Sequence, residues 1–186
     1  MTTDDAEPYL PEFEAFLAEF SEESDRAGAV LAGAYLDELL RELLSTSMIQ
    51  RKSEVDDLLG SEKKIDRPLS SFSSRTRASF CMGLISSSEY ADLKHIRAIR
   101  NRFAHAQQGC SFADPQVVKS CRALVLPRLA AEMNVPPDGG ERNWFNVSVA
   151  LSAAFISHRI AQVRTRRPET PKDIKPGGLG YGSTGG

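Results

Sequence analysis

The chain has 186 residues, of which 41% are hydrophobic and 26% charged, with a formal net charge of -2. That fills one core and is marginal for two. No apolar run approaches the roughly 20 residues of a bilayer span, and the acidic start MTTDDAEPYL does not read as a signal peptide, so a cytoplasmic protein off the membrane is expected.

In chain order, helical periodicity dominates and no strand alternation or Asn-Gly hairpin signal stands out. The expected fold class is all-α: a single-domain bundle of about six to seven helices over 1–164, followed by a disordered Gly/Pro/Arg-rich tail over 165–186. Leu10, Phe13, Phe16, Leu17 and Phe20 recur at helical spacing after Pro8 and Pro11, predicting a first helix of about three turns. It sits in an acidic stretch, since the first 25 residues carry nine Asp and Glu and no Lys or Arg. Ser24 can cap a second helix running to Leu44. Its first half, RAGAVLAGA, fills little volume. Glycine inside a helix costs about 1 kcal/mol against alanine, so Gly28 and Gly33 predict a neighbouring backbone in close approach.

A short helix from Ser53 stops at Gly60, and another from Phe72 to Met82 closes at Gly83. Ser86 and Glu89 then have the spacing of a capping box, opening a helix whose Leu93, Ile96, Ile99 and Phe103 form a core stripe. Asp114 followed by Pro115 starts the next helix, with Val117, Val118, Cys121, Leu124 and Val125 inward and Pro127 as its stop. VPPDGG at 135–140 reads as a loop, and a last helix is predicted from Trp144 to Val163. In the tail, GGLGYG follows no strand and opens no helix, so it reads as flexible chain rather than a nucleotide loop.

Cys81, Cys110 and Cys121 are odd in number and lack CxxC spacing, so buried structural thiols are expected rather than disulfides or a zinc site. Three scattered histidines give no two-ligand spacing, and no cofactor is expected. His158, between apolar residues of the last helix, reads as a structural or surface residue rather than a ligand. Arg26 reads as a local partner of Glu22 or Glu23.

The residues that need an explanation lie at 100–105, RNRFAH, at the end of the core-stripe helix and of a run with Lys94, Arg97, Arg100 and Arg102 and no acid. Arg100 and His105 are five positions apart, about 140° in angle and roughly 7.5 Å in rise on a regular helix, so they cannot grip one atom. Either the helix ends or bends between them, or a second chain completes the site. Histidine titrates near neutral pH and can move a ribose hydroxyl proton, while a guanidinium stabilises charge building at phosphorus. The plain alternative is a surface histidine at the negative pole of a helix dipole. Spacing alone leaves both open.

RNRFAH resembles the R-N-x3-H signature of the HEPN superfamily, all-α proteins that include metal-independent endoribonucleases working as dimers. More widely, ESDRAGAVLAGAYLDELL at 23–40, PLSSF at 68–72, RTRASFCMGLISSSEYADLKHIRAIRNRFAH at 75–105 and SFAD at 111–114 are similar to the mannitol-operon-repressor family. The resemblance implies Arg100 as charge stabiliser, Asn101 as its polar neighbour and His105 as general acid or base, in a homodimer. Lys94, Arg97 and Arg102 are the expected RNA-binding cations. The leading expectation is therefore an endoribonuclease cleaving single-stranded RNA by 2′-hydroxyl attack, as a toxin with an antitoxin partner or as a stress regulator. The alternative is a non-enzymatic transcriptional regulator of sugar-alcohol uptake acting through protein partners. Direct DNA binding ranks last, because the N-terminal end of the helix that would read bases is SSSEYAD, without cations.

Overall fold

The computed structural model describes residues 16, 20, 22–61, 66–106, 109–133, 139–166 and 168–172. Among these residues there are seven α-helices and no strand: α1 (Asp25–Thr46), α2 (Lys52–Leu59), α3 (Phe72–Cys81), α4 (Ser87–His105), α5 (Pro115–Arg122), α6 (Leu126–Glu132) and α7 (Gly140–Arg164). The all-α expectation holds. The predicted first helix lies outside the described residues apart from Phe16 and Phe20, which are both buried. GGLGYG and most of the predicted tail also lie outside them, and residues 168–172 are exposed and without helix.

α1 sits at the centre, packed against α7, α4 and α3. The reason is in the spacing. Leu36, Leu40 and Leu43 on α1 and Leu93, Ile96, Ile99 and Phe103 on α4 recur every three or four residues. So do Phe145, Val149, Ala153, Ile156 and Ile160 on α7, and all these side chains join one buried cluster. Each large one adds about 1.5–3 kcal/mol relative to exposure. A second cluster of Leu44, Val55 and Leu59 seats α2 beside the end of α1. Rings continue the core past the end of α4. Phe103 packs on Phe112 at 5.1 Å between centroids, Phe112 on Phe145 at 5.3 Å and Phe145 on Phe20 at 6.2 Å.

The helix starts are built as their sequences require. Ser24 accepts a hydrogen bond from the Ala27 N–H at 3.3 Å. Ser86 accepts from the Glu89 N–H at 3.3 Å while Glu89 Oε2 accepts from the Ser86 N–H at 2.7 Å, closing the capping box. Asp114 accepts from the Gln116 N–H at 2.9 Å, with Pro115 in the first turn.

Four expectations need correction. α5 ends at Arg122, and Pro127 lies in the first turn of α6 instead of stopping a helix, because a proline there gives up only a donor that would have been orphaned. The last helix starts at Gly140, four residues before Trp144, and Gly139 and Gly140 both take positive φ; residues 135–138 of the predicted loop lie outside the described residues. Of the three cysteines only Cys121 is buried, while Cys81 is exposed and Cys110 intermediate. Burial holds the Cys121 thiol neutral, pushing its pKa up to about 12.

The fourth concerns the glycines of α1. No backbone crowds Gly33: a Cβ there would lie 2.8 Å from Cγ of Arg100. At Gly28 the expected close backbone is present: the Phe20 ring lies at 3.5 Å and the Phe20 carbonyl oxygen at 3.8 Å. The correction therefore applies to Gly33, which makes room for a side chain, the arginine of RNRFAH.

Candidate functional site

α4 carries two polar groups of residues. Near its start, Glu89 and Asp92 face the core and are 2% and 0% exposed. Asp92 accepts from the Val125 N–H at 2.7 Å, the Leu126 N–H at 3.1 Å and the Ser148 hydroxyl at 2.7 Å. It thereby supplies the N-terminal cap of α6, which no side chain of its own provides, and ties α4 to α7. Arg159 of α7 donates to Glu89 at 3.1 Å and to the Leu84 carbonyl at 2.5 Å. Every buried charge here has partners, the condition for burying it at all.

Toward its end the outer face carries Arg97, Arg100 and Asn101. Arg100 Nη1 donates to Asn101 Oδ1 at 3.1 Å, and its aliphatic stem lies on Gly33. These three residues line a groove of about 370 Å³ between α1, the start of α3 and α4. Its other walls include Asp37 and Glu38 of α1 and Phe72 and Ser73 of α3.

His105 is not among the groove residues. α4 runs unbroken through it, so within one chain it stays on a different face from Arg100, by the roughly 140° of a regular helix. It is exposed, in the last turn. The bend or helix end that could have brought the two together does not occur. What finishes α4 is Arg26, whose guanidinium donates to the Ala106 carbonyl just beyond His105. Sequence proximity offers Arg26 only Glu22 or Glu23 as partners; its reach across 80 residues is visible only in the fold.

The expected RNA-binding cations are divided. Lys94 lies over the Tyr90 ring at 5.4 Å. Arg97 lines the groove and has no ion pair among the described residues. Arg102 is committed elsewhere, to Asp114 at 2.9 Å. Its hydrogen bond, joined by that of the Gln116 N–H, holds the Asp114 carboxyl below the usual carboxylate range. No group of three metal-ligating side chains forms among the described residues, and no helix there is long and apolar enough to cross a membrane. His158 contacts Gln162 at 2.9 Å on the exposed side of α7.

The architecture is that of a solved all-helical protein. The MtlR chain in the X-ray structure of the MtlR-HPr complex from Escherichia coli matches with a TM-score of 0.54 and 19% identity, over 82% of this chain and 98% of that one. A family model described as mannitol repressor (MtlR) matches residues 26–154. The chain belongs to the mannitol repressor family. No curated protein matches it.

Proposed function

We propose that the chain is a regulator of sugar-alcohol uptake of the mannitol-repressor type that acts by binding a protein partner of the HPr kind. The observation that carries this reading is the family match over residues 26–154, which takes in all of α4 and the core around it. The structure of an MtlR chain bound to HPr supports the partner class. Exposed apolar side chains suit such a contact: Phe80 (37%), Met82 (49%) and Phe155 (43%) stand on the surface of α3, its end and α7. Calorimetric titration of HPr from the same organism into the full chain tests it. Saturable binding that survives Arg100→Ala and His105→Ala is the expected result, and absence of binding overturns the reading.

The endoribonuclease is the second reading, kept by the exposed His105, which has no side-chain partner among the described residues and lies just over one turn beyond Arg100 and Asn101. In it Arg100 is the charge stabiliser, Asn101 its neighbour and His105 the general acid or base. Because His105 and Arg100 are splayed along one straight helix, this chemistry requires a homodimer that sets one chain's histidine beside the other's arginine. Cleavage of single-stranded RNA in EDTA, lost in the His105→Ala variant, together with a dimer in sedimentation, would establish it in place of the first.

A further inference from the structure

The charges around the α1–α3–α4 groove do not cancel, and the imbalance is specific. Two carboxylates and two guanidiniums line it: Asp37, Glu38, Arg97 and Arg100. Both carboxylates are already engaged by arginines that lie outside the lining. Arg75 meets Asp37 at 2.7 Å, and Arg41 meets Glu38 at 3.4 Å. Arg75 is itself fixed, since it also donates to the carbonyls of Leu69 at 2.9 Å and Leu59 at 3.0 Å and is only 7% exposed. Arg97 and Arg100 have no acidic partner among the described residues; Arg41 is shared between Glu38 and Asp56, the latter at 3.8 Å, so the groove with its supporting ion pairs keeps a modest excess of positive charge.

Arg100 is also held in place. Its stem occupies the space a side chain at residue 33 would fill, and its head is steadied by Asn101, which leaves further guanidinium N–H groups free. A preformed guanidinium loses less entropy when it binds than a freely moving one, and its planar fork matches phosphate. The opposite wall is of another character. Glu38 and Asp37 keep lone pairs beyond those their arginines use, and Ser73 adds a hydroxyl with no partner among the described residues, all groups that accept from or donate to ligand hydroxyls. A space of about 370 Å³ lies at the lower end of small-molecule sites.

We propose that this groove binds a small polyhydroxylated phosphate monoester, with the phosphate on Arg97, Arg100 and Asn101 and the hydroxyls on Asp37, Glu38 and Ser73. His105 takes no part in it. The site is independent of the protein-partner reading, so either can fail without the other.

Calorimetric titration of the full chain with a hexitol 1-phosphate, the free hexitol and inorganic phosphate tests the proposal. The phosphate ester is expected to bind best and to raise the melting temperature, with affinity that weakens as salt is added. Arg97→Gln/Arg100→Gln, which keeps the aliphatic stems, should weaken the ester at least about tenfold, the size expected for losing one charge-assisted hydrogen bond. Glu38→Gln should weaken the ester relative to inorganic phosphate, whose binding should hold or strengthen as a nearby negative charge is lost, and being on the exposed face of α1 it serves even if the double variant does not fold. No binding of the ester, or equal binding of ester and inorganic phosphate, overturns the proposal. So does displacement of the ester by a single-stranded oligoribonucleotide that the protein then cleaves, which would assign the groove to the ribonuclease reading.

Discussion

The start and the end of α4 are built from similar residues put to opposite use. Glu89 and Asp92 are buried, and between them they meet the backbone N–H groups of Val125 and Leu126 at the start of α6, a serine of α7 and an arginine of α7. Arg97, Arg100 and Asn101, two turns further on, are at the surface, and their only side-chain hydrogen bond among the described residues is one between themselves. A charge with all its partners inside the molecule fixes the fold. A charge held in position without an internal partner is available to something else. The contrast follows from where the helix lies, since its first half runs beneath α7 while its outer face later borders the open groove with α1 and α3.

The comparison breaks most visibly at Asp92. Asp92→Ala leaves three donors without a partner in a buried place and should cost at least about 3 kcal/mol in urea denaturation. Asp92→Asn keeps one acceptor oxygen and should lose less. A cost below about 1 kcal/mol would mean that the inner cluster is not what joins α4 to α6 and α7.

At the outer cluster the expected effects are smaller and depend on context. Gly33→Ala gains helix propensity but brings a Cβ to 2.8 Å from Arg100 Cγ. It should destabilise the native chain and become neutral or stabilising in an Arg100→Ala background, with a coupling of about 1 kcal/mol in the double-mutant cycle. Additive effects would show that Gly33 is not there to seat the arginine.

The weakest effect is expected at the next cation along. Asp114 is held charged by Arg102, so its folded pKa is depressed. The stabilisation this gives is complete above the unfolded value of about 3.9 and fades as pH falls through the lower folded value. The stability difference between the native chain and Asp114→Asn should therefore shrink between about pH 5 and about pH 3. A difference that grows toward acid would reverse the sign of that linkage.

Much of this was legible in the sequence because it depends on local chemistry. Ser24, Ser86 with Glu89, and Asp114 with Pro115 marked helix starts that the structure uses, and Leu93, Ile96, Ile99 and Phe103 marked the inner face of α4. The groove was half legible: Arg97, Arg100 and Asn101 stood out, while Asp37, Glu38 and Ser73 did not, because three helices far apart in sequence bring them together. Asp92 passed unnoticed since an acid in a helix ordinarily faces water, and only its distant partners explain its burial. Arg26 was misplaced for the same reason, its acceptor lying 80 residues away. The small residues of α1 signalled a close neighbour, but sequence could not say that the neighbour was a side chain of RNRFAH.

The division of α4 into a half that holds the fold and a half that is free to bind is tested most directly by urea denaturation of the Arg97→Gln/Arg100→Gln chain. Both stems remain and both charges are gone. The predicted result is a stability within about 0.5 kcal/mol of the native chain, as for surface groups without internal partners. A loss above about 2 kcal/mol would contradict it, because the outer arginines would then be part of what holds the fold together.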